Sequence, residues 1–309
     1  MNIAVLGYGI QGRAQALNLR DSGFNVIVGN INDKYKKVAL KDGMVVKSII
    51  DAVRLSEIIL ILLPDSIQDN IIKLDIIPHV KKNSCIVFAH GYWLAYEAKK
   101  LPNIDILMIA PRFPGEQIRN KYLNGSGVPA YVDVVNNVTG KARLRMKKIL
   151  RGLGFDKGGI IEIPFKMEAE LDLMIEQSMA PIFFASVQCV FNELVSRGFP
   201  EEVVCMELYY SGELGAVRTM MGRDGLYSAF QKNASPTCQY GIASSLTKVW
   251  PRIMNEVVKR QLNRIQSGKF ADEMRNLNTL KLVNNFLESK IANKIKLAEK
   301  KVQKKIRKI

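Results

Sequence analysis

A glycine-rich turn near the N-terminus constrains this chain more than any other feature. Ile3-Ala4-Val5-Leu6 is a continuous apolar run, as expected of a strand covered on both faces, and it leads at once into Gly7-Tyr8-Gly9-Ile10-Gln11-Gly12. A helix-like stretch continues through Leu19, and a second apolar strand, Asn25-Val26-Ile27-Val28-Gly29, closes the unit. In a strand–turn–helix–strand setting, G-x-G-x-x-G is a dinucleotide fingerprint. Gly7 permits the tight turn, Gly9 lets the backbone approach a pyrophosphate, and Gly12 lets the helix lie close on the strand. The helix N-terminus adds N–H groups for the anion, and Tyr8, Ile10 and Gln11 complete the turn against it. The acidic residue usual at the end of the second strand is absent, and Asn30-Ile31-Asn32-Asp33-Lys34 follows, with Lys36 and Lys37 just beyond. Asp33 suits a ribose 2′-hydroxyl and the lysines suit a 2′-phosphate, so NADH and NADPH are both compatible with the loop.

The alternation continues. Helical patterning over Ser48–Leu55 leads to the strand Ile58–Leu63, then Pro64-Asp65 and another helix. Strands follow at Cys85–Ala89, Ile104–Ala110, Ala130–Val135 and Ile160–Ile163, with a helix around Lys141–Arg151. Such alternation predicts a parallel, doubly wound, Rossmann-like sheet. Ligands of these sheets sit at the carboxyl ends of strands, where Pro64-Asp65, His90-Gly91 and Pro111-Arg112-Phe113-Pro114-Gly115 fall. From Pro164 onward the pattern changes to helices with no clear strand. The expected division is a dinucleotide-binding domain over 1–163 and an all-helical domain over 164–309.

The helical part opens with an acidic run, Glu168 to Gln177, in which Asp172 and Glu176 are one turn apart among Leu171, Leu173, Met174 and Ile175. Carboxylates in apolar company are costly unless a positive partner joins them, and a hard divalent ion such as Mg²⁺ would serve. The alternative is a solvated acidic stripe. The longest apolar run, Ile58 to Leu63, is far shorter than the ~20 residues a bilayer span needs, so no membrane segment is expected. Met1 runs straight into the first strand, so no signal peptide is expected either. Cys85, Cys189, Cys205 and Cys238 form no C-x-x-C pair and fall in or beside apolar segments. They read as reduced core residues of a cytoplasmic protein. The net charge of +16 attracts anions generally. Much of it lies in Lys290–Ile309, where eight lysines and one arginine accompany a single Glu299. Ile291, Ile295, Ala298, Val302, Ile306 and Ile309 recur there at helical spacing. This reads as a helix packed on its own protein with solvated lysines, in preference to a nucleic-acid or membrane contact.

Taken in order, these segments resemble the ketol-acid reductoisomerases in their short bacterial form. The resemblance runs nearly end to end. It rests on Gly7–Gly12 with Ala16-Leu17-Asn18-Leu19-Arg20-Asp21-Ser22-Gly23, then Leu62-Leu63-Pro64-Asp65, Phe88-Ala89-His90-Gly91 and Gly127-Val128-Pro129-Ala130. Asp172-Leu173-x-x-Glu176-Gln177, Gly198-Phe199-Pro200 and Ile265–Ala271 extend it through the helical part. The resemblance implies NAD(P)H on the first domain and two Mg²⁺ ions between the domains. It also implies isomerisation of an acetohydroxy acid by alkyl migration, followed by reduction, in branched-chain amino-acid synthesis. Asp172 and Glu176 fall on the family's first two metal carboxylates. Glu207 falls on a third, given in the family by the partner subunit of an intertwined homodimer, and Ser235 falls on the serine that holds the substrate carboxylate. His90, at a strand end, would assist at the nicotinamide or in proton movement.

Four positions depart from the family. Its fourth metal carboxylate is Ser211 here, with Glu213 nearby but on a different helix face unless the backbone bulges. Its lysine after Ala110-Pro111 is Arg112, which cannot be deprotonated. Arg13 replaces a histidine and adds positive charge near the pyrophosphate, and Gln239 replaces an acidic residue near Ser235. Fewer carboxylates hold a second cation less strongly. The expectation is therefore a ketol-acid reductoisomerase-like enzyme whose hydride-transfer half survives and whose isomerase half is in doubt. The alternatives are a diverged reductase of a 2-keto acid, or a non-catalytic nucleotide-binding protein with a basic tail.

Overall fold

The computed structural model describes residues 1–246, 250–276 and 279–306. The chain forms two compact units, Met1–Asp172 and Leu173–Ile309.

The first unit is built on eight strands. They are β1 (Asn2–Leu6), β2 (Asn25–Gly29), β3 (Val45–Lys47), β4 (Ile58–Ile61), β5 (Cys85–Phe88), β6 (Asp105–Pro111), β7 (Ala130–Asn136) and β8 (Ile160–Glu162). Their spatial order is β3-β2-β1-β4-β5-β6-β7-β8. The helices between them are α1 (Ile10–Asp21), α2 (Lys34–Lys41), α3 (Ile49–Leu55), α4 (Asp65–Ile71), α5 (Tyr92–Tyr96), α6 (Gly115–Leu123) and α7 (Ala142–Leu153). Side chains alternate across a strand, so the apolar run of β1 feeds two cores. Ile3 and Val5 join Leu19, Leu107 and Phe155 on one face, while Ala4 and Leu6 join Ile59, Ile61 and Ile86 on the other. A sheet covered on both faces explains why these strands read as unbroken apolar runs.

Two details differ from the expected sheet. β7 runs antiparallel to β6, with Ala130 opposite Pro111 and Val134 opposite Leu107. The chain re-enters at the end of the sheet it has just left, where the Arg112 N–H donates to the Pro129 carbonyl at 2.9 Å. The edge strand β3, with only three residues, is additional.

Helix α8 (Phe165–Ser196) begins in the first unit and continues into the second. The rest of the second unit comprises α9 (Glu201–Cys205), α10 (Glu213–Asp224), α11 (Leu226–Asn233), α12 (Pro236–Leu246), α13 (Trp250–Gln266), α14 (Lys269–Asn276), α15 (Thr279–Leu287) and α16 (Lys290–Ile306). By length and composition α8 can cross a membrane, with a window of mean hydropathy 1.3. The core helix of a soluble protein meets the same test, so the expectation drawn from the short apolar runs stands neither overturned nor established by it.

The basic C-terminal helix packs on its own protein. Ala298 and Val302 are buried in a core with Phe191, Val204 and Cys205, and Lys301 and Lys305 pair with Glu201 and Glu202, each at 2.7 Å. Ile309 and the last basic residues, Arg307 and Lys308, lie outside the described residues. All four cysteines are free. Cys85 and Cys205 are core residues as expected, but Cys189 and Cys238 are exposed, because each takes an outer position of its helix.

Candidate active site

The glycine turn prepares an anion seat. Gly7 has φ +91°, and a Cβ there would lie 2.6 Å from the Leu62 carbonyl oxygen. A Cβ on Gly12 would lie 2.1 Å from the Gly7 carbonyl oxygen, so α1 can start this close to the strand ends only with glycine. Gly9 precedes α1 with no side-chain cap, which leaves first-turn N–H groups available. Ile10 is largely exposed. The Gln11 side chain instead ties the turn to the loop after β6, its Nε2 donating to the Phe113 carbonyl at 3.1 Å. The Tyr8 ring is buried, its hydroxyl donating to Asp42 at 3.1 Å, so only its backbone faces the turn. Arg13 donates to both oxygens of Asp42, at 2.6 and 3.0 Å. Its charge is therefore balanced locally, and is not free for the pyrophosphate as the sequence suggested.

Charged groups from the ends of β4, β5 and β6 meet the first turns of α8. Asp65 opens α4 after Pro64, and burial raises its carboxyl above the usual range. His90 follows β5. Its Nδ1 accepts the Tyr92 N–H at 3.3 Å, so the neutral ring carries its proton on Nε2. That nitrogen lies 3.1 Å from Asp172 Oδ2 and 3.8 Å from Glu168 Oε2. It is close enough for ion pairing, although it is buried and not aligned for a hydrogen bond. Arg112, just past β6, donates to Glu168 Oε1 at 2.9 Å and to Asp172 Oδ1, with its guanidinium over the Tyr131 ring.

Glu168 is fully buried and takes a further 2.7 Å hydrogen bond from the Gly91 N–H. This contact demands glycine, because a Cβ on Gly91 would lie 2.1 Å from the Phe165 carbonyl oxygen. Burial pushes the Glu168 carboxyl up, against the pull of His90 and Arg112. Burial also acts upward on Asp172, but the contacts and charges of His90 and Arg112 reverse it and hold that carboxyl at about 2. For His90 burial acts downward, yet the surrounding carboxylates of Asp172, Glu168 and Asp65 leave the imidazole above its ordinary value.

Sequence reasoning missed Glu168. Its signal was present, since it lies one turn before Asp172 on the same helix face. Glu168, Asp172 and His90 offer three ligand atoms within 4.8 Å of one another. Glu176, Glu207 and Ser235 belong to the second unit and are not members of this cluster. Glu176 is one turn beyond Asp172 on the continuous α8. Glu207 is exposed in a π-helical turn, Met206–Tyr210. Ser235 immediately precedes α12, its hydroxyl accepting the Cys238 N–H at 3.3 Å. The backbone after Glu207 does break. Gly212 takes φ +82°, and Glu213 starts the new helix α10.

A doubly wound sheet with an open glycine turn and a cluster of acids, imidazole and guanidinium at its strand ends defines a nicotinamide-nucleotide oxidoreductase. Residues 1–159 match the acetohydroxy acid isomeroreductase NADPH-binding domain, and residues 165–309 match the ketol-acid reductoisomerase C-terminal domain. The ketol-acid reductoisomerase (NADP(+)) of Pyrobaculum aerophilum is 38% identical over 278 residues, covering 88% of this chain and 83% of that protein. Its counterpart in Caldivirga maquilingensis is 34% identical over 276 residues, covering 89% and 83%. The structure of an NADH-preferring ketol-acid reductoisomerase from an uncultured archean superposes with a TM-score of 0.85 at 29% identity, over 100% of this chain and 94% of that one. This chain belongs to the ketol-acid reductoisomerase family and is an NAD(P)H-dependent oxidoreductase of that type.

Proposed function

We propose that the chain reduces a 2-hydroxy-keto (acetohydroxy) acid with a nicotinamide bound along the glycine turn and magnesium as assistant. The observation that carries this reading is the cluster of His90, Arg112, Glu168 and Asp172 at the strand ends. Buried ionisable groups with displaced pKa values gather where charge and protons must be managed. The donor set suits a hard divalent cation through its oxygens, since carboxylate atoms of Glu168 and Asp172 lie within 4.8 Å of one another beside His90.

In this reading Asp172 and Glu176 of α8 hold the ion, with Glu207 supplied by a partner subunit, and Ser235 holds the substrate carboxylate. The bound ion would polarise the carbonyl and stabilise an alkoxide. His90, in its imidazolium form, gives its Nε2 proton to the oxygen that gains charge as hydride arrives and is left as the neutral ring. Arg112 keeps Asp172 ionised and Glu168 charge-balanced. Gly7 to Gly12 seat the pyrophosphate, Asn30, Asp33 and Lys34 face the adenosine ribose, and Pro64 and Asp65 border the nicotinamide. A homodimer in the cytoplasm completes the reading, supported by apolar side chains exposed along α8, among them Met179 and Phe184.

Two observations favour a second reading, in which reduction persists and alkyl migration is weakened. A permanently charged Arg112 bonds Asp172 directly, and Ser211 stands where the family has a carboxylate. The purified protein should be given Mg²⁺ and NAD(P)H with either acetolactate or the pre-isomerised 3-hydroxy-2-keto acid. Faster oxidation of the cofactor with the pre-isomerised acid is the expected result. Equal ordinary rates would assign the full isomeroreductase, and no oxidation with either would remove both readings.

A further inference from the structure

A relay of side-chain amides in the first unit joins the glycine turn to the loop that carries Arg112. Gln11 and Gln15 are one turn apart on α1 and share a face of it. The Phe113 carbonyl oxygen can only accept, so the Gln11 side chain must present its Nε2 there, at 3.1 Å. Its Oε1 is left to Gln15, whose Nε2 donates to it at 3.2 Å. Gln15 is buried, and burying an amide is costly unless it is bonded. The relay therefore has one direction, from Gln15 through Gln11 to Phe113. Phe113 in turn follows the residue whose guanidinium reaches Glu168 and Asp172.

We propose that Gln15 is a positioning residue for the reduction: by orienting the Gln11 amide it holds the Arg112 loop in register with the glycine turn. The proposal rests on the cluster of His90, Arg112, Glu168 and Asp172 being the reaction centre. Helix packing around the loop is secured by other contacts. Arg119 of α6 donates to Asn18 at 2.9 Å and pairs with Asp21. Gly115 lies against the start of α1, where a Cβ would come within 2.1 Å of the Ile10 carbonyl oxygen. What the relay fixes is the Phe113 carbonyl, one residue beyond the Cα that sends the guanidinium to the carboxylates. A fork bonded to two carboxylates tolerates little displacement, and a small misplacement beside reacting atoms is costly in rate. Gln15 acts only through Gln11.

Gln15→Met, Gln11→Met and the double variant, made in the full chain, separate positioning from packing. Gln11→Met strands the Gln15 amide, whereas the double variant removes both amides and should be the more stable of the two in urea. Turnover should not follow stability. With Mg²⁺, saturating NAD(P)H and whichever of acetolactate or the pre-isomerised acid the wild type reduces faster, kcat should fall about tenfold in all three. In Gln15→Met the dinucleotide Kd should stay within about threefold, because the glycine turn and the first N–H groups of α1 are untouched. The Arg112 Nε–H signal in the NMR spectrum, assigned by its loss in Arg112→Lys, should shift or broaden in all three. An unchanged Arg112 signal in Gln15→Met overturns the proposal and leaves the reaction centre intact. A kcat that recovers with stability in the double variant also overturns it, because the relay would then be packing alone. A displaced Arg112 signal with wild-type kcat overturns it and takes Arg112 out of the reaction centre. A wild type that reduces neither acid removes the reaction centre and the proposal together.

Discussion

At Gly91 a single hydrogen in place of a methyl lets the strand end press against α8. Gly91→Ala forces a Cβ to within 2.1 Å of the Phe165 carbonyl oxygen, and overpacking of that kind costs about 1–3 kcal/mol. A lower urea midpoint is expected, with the ring signals of the neighbouring His90 displaced in the NMR spectrum. Asp42 supports a prediction in pH. The Arg13 hydrogen bond, the largest influence, holds its carboxyl below the usual value despite burial, and Tyr8 adds to the effect. Folding therefore favours the charged form. That contribution is complete above the ordinary carboxylate range and is lost as pH falls through the lowered folded value. Asp42→Asn should cost about 1–2 kcal/mol at neutral pH, and the gap in urea midpoint should narrow on acidification toward pH ~3. The glycine turn and His90 were legible in the sequence because backbone freedom and strand-end position are local properties. Glu168 and the Arg13–Asp42 pair were not, because each gains its meaning from a partner far along the chain.

Elements were legible where burial on both sides makes an unbroken apolar run. β2 falls at Asn25–Gly29 and β5 at Cys85–Phe88, as their composition indicates. The direction of β7 was not legible, because it depends on where the connection returns, and composition carries no record of that. The C-terminal helix shows the same limit from the other side. Its spacing disclosed an apolar face, but only the fold shows Tyr209 and Tyr210, just after Glu207, bonded to it by way of Glu299 at 2.6 Å and Gln303 at 2.7 Å. The buried seam of α16 should therefore matter far more than its charges. Val302→Asp places an unpaired carboxylate in the core with Phe191 and Val204, which costs several kcal/mol. Hydrogen exchange should then show α9 and α16 opening together. Replacing Lys301 and Lys305 by alanine removes two largely exposed ion pairs, each worth at most about 1 kcal/mol. The same measurement should barely change.

For the whole molecule, α8 poses the one choice that family membership leaves to experiment. Its most apolar window has only 11% of its residues buried within the single chain, and Met179, Phe184 and Val190 are exposed. Such a surface needs a cover, either a bilayer or a second copy. The apolar stretch of the helix is bordered by Glu176 and Glu193 and carries Gln177 and Gln188, and such polar groups are disfavoured in hydrocarbon. A self-complementary protein face tolerates them, because contacts across a two-fold axis can alternate apolar and polar patches. The chain should therefore sediment at twice the mass of a single copy at micromolar concentration, and should not float with phosphatidylcholine vesicles. Phe184→Asp should shift it toward the single chain while the circular dichroism of the first unit's sheet is retained. A wild-type single chain that floats with vesicles would instead identify α8 as a membrane helix, and would deprive the metal-binding reading of its partner-supplied Glu207.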